Sequence, residues 1–146
     1  MAFWISPFSA GDTHASDACL AALAQQEAVA ALRAKLPDIT GMRRNPPKLE
    51  IRMGIATGEA VVGTVGAASS RSYTVMGDTV NLASRIEGIN KTYRCSITLS
   101  EETFRLAQDV IEARELDLII VSGKTEPIRI YEAMSRAGEL QPEQIA

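Results

Sequence analysis

The chain has 146 residues, 46% of them hydrophobic and 23% charged, which is the size and composition of one globular domain with its own core, not of two domains or a disordered tract. Fifteen Lys and Arg stand against eighteen Asp and Glu for a formal net charge of −3, which excludes the broad basic footprint of a duplex-binding protein and leaves no nucleic acid among the expected partners. Cys19 and Cys95 are the only cysteines and no apolar run reaches membrane-span length, so the chain reads as reduced and cytoplasmic, with no disulfide scaffold, no metal-ligand Cys spacing and no membrane contact from this segment.

In chain order, Met1-Ala2-Phe3-Trp4-Ile5 has neither the positive leader nor the long apolar stretch of a signal peptide. It reads like the inside of a strand that has lost its beginning. Asp12 to Leu36 is rich in Ala, Leu, Gln and Glu and predicts a helix, with Leu20, Leu23, Ala24, Ala28, Ala31 and Leu32 on its apolar face. Asp12, Thr13 or Ser16 is placed to cap its start, and Pro37 is expected to end it. The stretch from Pro37 to Lys48 holds three prolines, a glycine and the pair Arg43-Arg44, a connecting loop with a solvated basic surface.

Leu49, Ile51, Met53, Ile55 and Thr57 alternate with Glu50, Arg52, Gly54 and Ala56, the period of a half-buried strand. Thr57-Gly58-Glu59 then predicts a tight turn into a second strand over Ala60 to Val65, so the two are expected to form a hairpin. Gly66 to Ser72 reads as a flexible loop or an arm reaching for a partner. A second helix is expected over Asp78 to Asn90, with Leu82, Ala83, Ile86 and Ile89 inward, then a short strand over Ser96 to Leu99. Ser100 heads a third helix to about Gln108 with Glu101 and Glu102 in its first turn. Glu115 to Val121 and Ile128 to Glu132 predict a closing hairpin around Ser122-Gly123-Lys124-Thr125-Glu126-Pro127. Residues 1–136 are taken as one domain and 137–146 as a loose polar tail. Helices interleaved with hairpins imply an α/β sandwich (α+β class) on a mixed, mainly antiparallel sheet.

Few residues offer chemistry by spacing alone. Asn81 and Arg85 lie four apart in the second helix and share a face other than that of Leu82, Ile86 and Ile89. Two readings stand open: a solvated polar face, or an amide that orients a hydroxyl beside a guanidinium that holds a phosphoryl oxygen. Asp78 needs no function to favour a helix start. Gly54, Gly58, Gly63 and Gly66 fit turns and bulges and match no phosphate loop. His14, the single histidine, has no nucleophile pattern near it and reads as a capping or surface residue. Lys124, in the last turn, is solvated or touches a phosphate.

The run Tyr73-Thr74-Val75-Met76-Gly77-Asp78-Thr79-Val80-Asn81-Leu82-Ala83-Ser84-Arg85-Ile86-Glu87-Gly88 resembles the signature of the class III adenylyl and guanylyl cyclase catalytic domain. Met1-Ala2-Phe3-Trp4, Arg52 to Glu59 with Val62 to Gly66, and Gly123 to Pro127 fit the same family in the same order. The resemblance implies a ferredoxin-like cyclase fold that works as a homodimer or heterodimer with another cyclase domain, with active sites at the interface. There the ribose 3′ hydroxyl of a nucleoside triphosphate attacks the α-phosphate and releases pyrophosphate.

By that resemblance Asn81 orients the ribose, Arg85 stabilises the transition state and Thr74 contacts the base, favouring ATP over GTP. Lys124 is the substrate-binding lysine that remains where the family's triphosphate lysine aligns with Ser122. The two metal-binding aspartates of the family lie ahead of the Met-Ala-Phe motif, so two divalent ions, Mg or Mn, are expected in the other half-site and none on this chain alone. The amino-terminal strand and helices of the fold are likewise expected to be missing. That leaves apolar sheet surface, Phe3, Trp4 and Phe8 included, to be covered by altered dimerisation or swapping. The chain then reads as adenylate cyclase catalytic domain, inactive alone and part of a parent protein that is free to carry a membrane anchor. The alternatives are a regulatory or non-catalytic partner lending Asn81 and Arg85 to a complete cyclase, a guanylate cyclase, or a decayed domain that only binds nucleotide or protein.

Overall fold

Residues 13–42, 44, 47–67, 69–121 and 126–140 are described in the computed structural model. They form α1 (His14–Thr40), β1 (Met53–Ile55), β2 (Val61–Ala67), β3 (Ser70–Met76), α2 (Asp78–Tyr93), β4 (Ile97–Ser100), α3 (Glu101–Ala107), β5 (Ile111–Ile119) and β6 (Ile128–Arg136). A four-stranded sheet runs in the order β1-β4-β6-β5, and β2 and β3 make a separate two-stranded sheet. β1 and β4 are parallel, while β4–β6 and β5–β6 are antiparallel. The mixed, mainly antiparallel α+β class expected from the sequence is the one observed.

The core lies where α1 and α3 cover one face of the four-stranded sheet. Cys19, Ala22 and Leu23 of α1 meet Ile97 and Leu99 of β4, with Ala107, Ile111 and Ala133. Strand alternation turns Thr98 to the opposite face, where Asn90 of α2 meets it. The third helix starts as its sequence demands: the Ser100 hydroxyl accepts from the Thr103 amide at 3.4 Å, with Glu101 and Glu102 in the first turn. The closing hairpin pairs as expected, with its first strand starting earlier and ending short of Val121, at Ile111–Ile119, and its second extended to Ile128–Arg136.

Several expectations are corrected. Pro37 does not end α1. Within the last turns it removes one donor, and the helix continues to Thr40, whose hydroxyl donates to the Leu36 carbonyl at 2.7 Å. Gly41, at φ 69°, makes the left-handed stop instead.

The apolar face assigned to α1 is displaced. Ala15, Cys19, Ala22 and Leu23 are buried, Leu20 is half-buried, and Ala24, Ala28, Ala31 and Leu32 are exposed. Only the first half of the helix lies on the core.

The expected hairpin of residues 49–57 with 60–65 does not form. β1 shrinks to Met53–Ile55 and pairs in parallel with β4, Met53 opposite Ile97, as an edge strand of the four-stranded sheet, where helices cover both faces and a parallel pairing is favoured. β2 pairs instead with β3.

Gly66, Ala67, Ser70, Arg71 and Ser72, expected as part of a loop, stand in that β2–β3 ladder, with Gly66 opposite Arg71. A side chain on Gly66 (φ 128°) would fall 2.0 Å from the Ser70 carbonyl oxygen, so this ladder requires glycine there. The second helix also runs three residues beyond its expected end, to Tyr93, before Arg94 adopts φ 55°.

The tail begins tied back to the fold, with the Ala137 amide donating to the Val110 carbonyl at 3.0 Å and the Gly138 amide to Glu112 Oε1 at 3.1 Å. Phe3, Trp4, Phe8, Asp12 and Arg43 lie outside the described residues, as do Ser122, Gly123, Lys124 and Thr125. No helix among the described residues is long and apolar enough to cross a membrane.

Candidate functional site

The strand β3 delivers the chain through Gly77 into α2, and this junction is held tightly. The Gly77 carbonyl accepts from the Val80 and Asn81 amides at 3.1 and 3.3 Å, and Thr79 Oγ1 donates to the Glu59 carbonyl at 2.9 Å. A Cβ on Gly58 would stand 2.6 Å from Thr79 Oγ1, so a side chain there would displace that hydroxyl. The first turn of α2 is thereby fastened to the connection between β1 and β2.

The inner face of α2 carries Ile86 and Asn90, both fully buried. At Gly54 the helix backbone lies directly on β1, where an added Cβ would meet the Ala83 carbonyl oxygen at 2.3 Å and the Glu87 nitrogen at 2.4 Å. Such contact needs glycine. A 3.6-residue period then turns Asn81 and Arg85 away from the strand, and both are exposed.

Among the described residues neither the Asn81 amide nor the Arg85 guanidinium makes a side-chain hydrogen bond or ion pair. Two adjacent polar groups are therefore offered outward, one an amide and the other a fork of donors suited to phosphoryl oxygens. Arg85 forms one wall of an open niche of about 390 Å³ with Ile89, Thr92, Tyr93 and Ile119 to Val121. At its edge the Tyr93 hydroxyl donates to Asp117 Oδ2 at 2.5 Å. That bond holds the Tyr93 phenol above its usual range and the Asp117 carboxyl below its own.

The structure thus brings Asn81 and Arg85 together on one helix face. Thr74 sits half-buried on β3 opposite Gly63. Its neighbour Val75 lines an apolar groove of about 700 Å³ beside β1, so strand alternation puts Thr74 on the other side of the ladder. Lys124 is outside the described residues, so its relation to the pair is not described. His14 lines the groove, away from Arg85's niche. Among the described residues no group of three or more His, Cys, Asp or Glu side chains is gathered to hold a metal ion.

Sequence reasoning passed over Asn90. Its signal was present: it falls four residues after Ile86, in phase with the buried stripe, where a polar side chain is out of place unless bonded.

Residues 8–133 match the family model described as the adenylate and guanylate cyclase catalytic domain. Adenylate cyclase 1 of Rhizobium meliloti (strain 1021) is 39% identical over 133 residues, covering 91% of this chain and 19% of that protein. Retinal guanylyl cyclase 2 of Homo sapiens is 40% identical over 86 residues, 58% of this chain and 7% of that protein. The chain therefore spans a fifth or less of the length of these curated relatives. Among solved structures, the adenylyl cyclase CyaB from P. aeruginosa superposes with a TM-score of 0.75 at 34% identity, covering 93% of this chain and 67% of that one.

Proposed function

The chain belongs to the adenylate and guanylate cyclase catalytic-domain family, and from that premise we propose that it takes part in converting ATP to 3′,5′-cyclic AMP and pyrophosphate. In this reading it supplies Asn81 and Arg85 to an active site completed by a second cyclase domain. The observation that carries it is the outward, unpartnered pair on α2, placed within the family match.

The chemistry follows from the groups. In the reaction the ribose 3′ oxygen forms a bond to the α-phosphorus while the bond from that phosphorus to the pyrophosphate oxygen breaks. The hydroxyl proton leaves to a base or water outside this chain. Asn81 orients the ribose so that the 3′ oxygen stands in line, which converts an encounter into a near-attack geometry. Arg85 donates to the α-phosphoryl oxygens, where charge develops at the transition state. Thr74 contacts the base, and Lys124 contacts the triphosphate. In this reading divalent ions, Mg or Mn, are held by the other half of the site, since the family's two metal-binding aspartates lie ahead of the Met-Ala-Phe motif.

A second copy or another cyclase domain is the partner we favour. Val61 (65% exposed), Tyr73 (67%), Val65 and Met76 leave the β2–β3 hairpin with apolar side chains in water, and a two-stranded sheet is marginal without cover. The reaction belongs to the cytoplasm, where ATP is supplied.

The test is cyclic nucleotide formation from Mn-ATP and Mn-GTP, using the chain alone and mixed with an intact cyclase domain that lacks its own Asn and Arg counterparts. The expected result is silence alone and cyclic AMP from the mixture, lost by about 10²–10³-fold with Arg85→Ala, as for removal of a transition-state donor. Cyclic GMP instead would move the assignment to guanylate cyclase, which the 40% identity to a retinal guanylyl cyclase favours as the second reading. A silent mixture would refute the half-site.

A further inference from the structure

We propose that Asn90 is a positioning residue: its buried amide fixes where α2 sits along β1 and β4, and through that helix where Asn81 and Arg85 stand. The proposal rests on the role given to those two residues above.

Asn90 is fully buried, yet its side chain is satisfied on both sides. Nδ2 donates to the Met53 carbonyl at 2.8 Å and to the Ser96 carbonyl at 3.3 Å. Oδ1 accepts from Cys95 Sγ at 3.2 Å and from the Thr98 hydroxyl. The neighbours dictate this orientation, because carbonyl oxygens only accept and thus require the nitrogen on their side.

The place is as telling as the number of bonds. Met53 belongs to β1, while Ser96 leads into β4, and the Met53 amide itself donates to the Ser96 carbonyl at 2.8 Å. One amide from α2 therefore caps the point where the two parallel strands join. At a rise of about 1.5 Å per residue, Asn90 lies roughly 7 Å along the helix axis from Arg85 and roughly 13 Å from Asn81.

The other inner contacts of α2 are apolar or steric: Ile86 in the core and the Ala83 backbone on Gly54. Apolar burial holds a helix against a sheet without specifying its setting, since the hydrophobic effect is non-directional. Hydrogen bonds are directional, and a slide of one ångström would break both bonds to Met53 and Ser96. The Tyr93–Asp117 bond ties the same end of the helix from the outside, but it is exposed to water. Asn90 is the inner, dry anchor. The Thr79–Glu59 bond fastens the first turn of α2, but it too is exposed to water, so Asn81 and Arg85 depend on such an inner anchor, because productive sites tolerate about 0.5 Å of error.

The experiment uses the full chain mixed with the cyclase domain lacking its own Asn and Arg, with kcat and KM read for Mn-ATP and folding checked by circular dichroism. Asn90→Leu is expected to lower kcat by about 10–100-fold while KM stays within about threefold, since a misplaced transition-state donor is felt in the chemical step. Thr98→Val keeps the core volume, removes one bond to Oδ1, and covers the case in which Asn90→Leu does not fold. It is expected to lower kcat by several-fold, again at constant KM.

Ile111→Ala is the control for stability alone: it opens the core on the other face of the sheet and is expected to leave kcat unchanged below its melting temperature. If Asn90→Leu and Thr98→Val behave like Ile111→Ala, the amide is only a core group and the proposal is overturned. If Arg85→Ala leaves product formation intact, or the unaltered mixture is silent, the half-site reading falls and takes this one with it. Loss with Arg85→Ala beside normal kcat for the Asn90 and Thr98 variants would sink positioning alone.

Discussion

The contact of α2 with β1 at Gly54 sets up a sharp test of how the helix is held. A methyl group placed there meets the Ala83 carbonyl oxygen at 2.3 Å, the Glu87 nitrogen at 2.4 Å and the Glu87 Cα at 2.9 Å. Relaxed carbon–oxygen contacts begin near 3.3 Å, so Gly54→Ala requires a retreat of about 1 Å. All three obstacles are backbone, so no rotamer change relieves them and the whole helix must move. Overpacking of this kind costs about 1–3 kcal/mol, equivalent to a fall of roughly 3–12 °C in unfolding temperature for a domain of this size. The same retreat carries Asn81 and Arg85 with it, and a misplacement of about 1 Å costs on the order of 10²-fold in rate. Calorimetric melting and cyclic AMP formation in the mixture measure the two effects. Gly88→Ala is the matched control, in the same helix with nothing within 4 Å of the added methyl, and it should raise stability by up to about 1 kcal/mol. A Gly54→Ala chain that melts within a degree of the parent and keeps its activity would refute the docking of α2 on β1.

Two further predictions concern the core. Burial pushes the Cys19 thiol up to about 12, above its ordinary 9.0, so the fold favours the neutral thiol. Its contribution to stability is complete below about pH 9 and lost as pH rises from there toward 12. Cys19→Ala should flatten that alkaline limb in pH-dependent melting, and native Cys19 should resist a disulfide reagent at pH near 8. Rapid labelling without denaturant would contradict the burial. Ser100→Ala removes the oxygen that the Thr103 amide and hydroxyl face, and should cost about 0.5–2 kcal/mol in chemical denaturation. An unchanged midpoint would mean that the cap is replaced by water.

The parts of this fold that were legible in sequence are those whose signals are local. The third helix was readable because Ser100, Glu101 and Glu102 satisfy its own first turn, and the β5–β6 hairpin because its strands are neighbours in the chain. β1 was misread because pairing is not local. The alternation from Leu49 to Thr57 suits a strand but does not name its partner, and the partner, β4, lies beyond α2. β3 was missed because Gly66, Ala67, Ser70 and Ser72 have loop chemistry, while the β2–β3 ladder is made by backbone groups that any small residue can present. Along α1, alanines at several phases of the helix gave no way to tell the buried Ala22 from the exposed Ala24.

The site was legible in a different manner. Spacing put Asn81 and Arg85 on one face, but an exposed polar pair looks the same in sequence whether it is solvated surface or a half-site, and it is the family pattern that favours the half-site we propose. The structure adds a physical asymmetry to that pair. A side chain that acts at an open interface cannot be locked by packing around itself, because the partner and substrate must reach it. Its precision has to come from the far side of its helix. On that side α2 carries, beside the apolar Ile86, a close backbone contact with Gly54 of β1 and a buried amide, both of which fix distance more strictly than oily surfaces do. Asn90 and Gly54 are therefore the residues at which small changes should affect rate together with stability, whereas Arg85→Ala should affect rate almost alone, since an exposed side chain contributes little to folding.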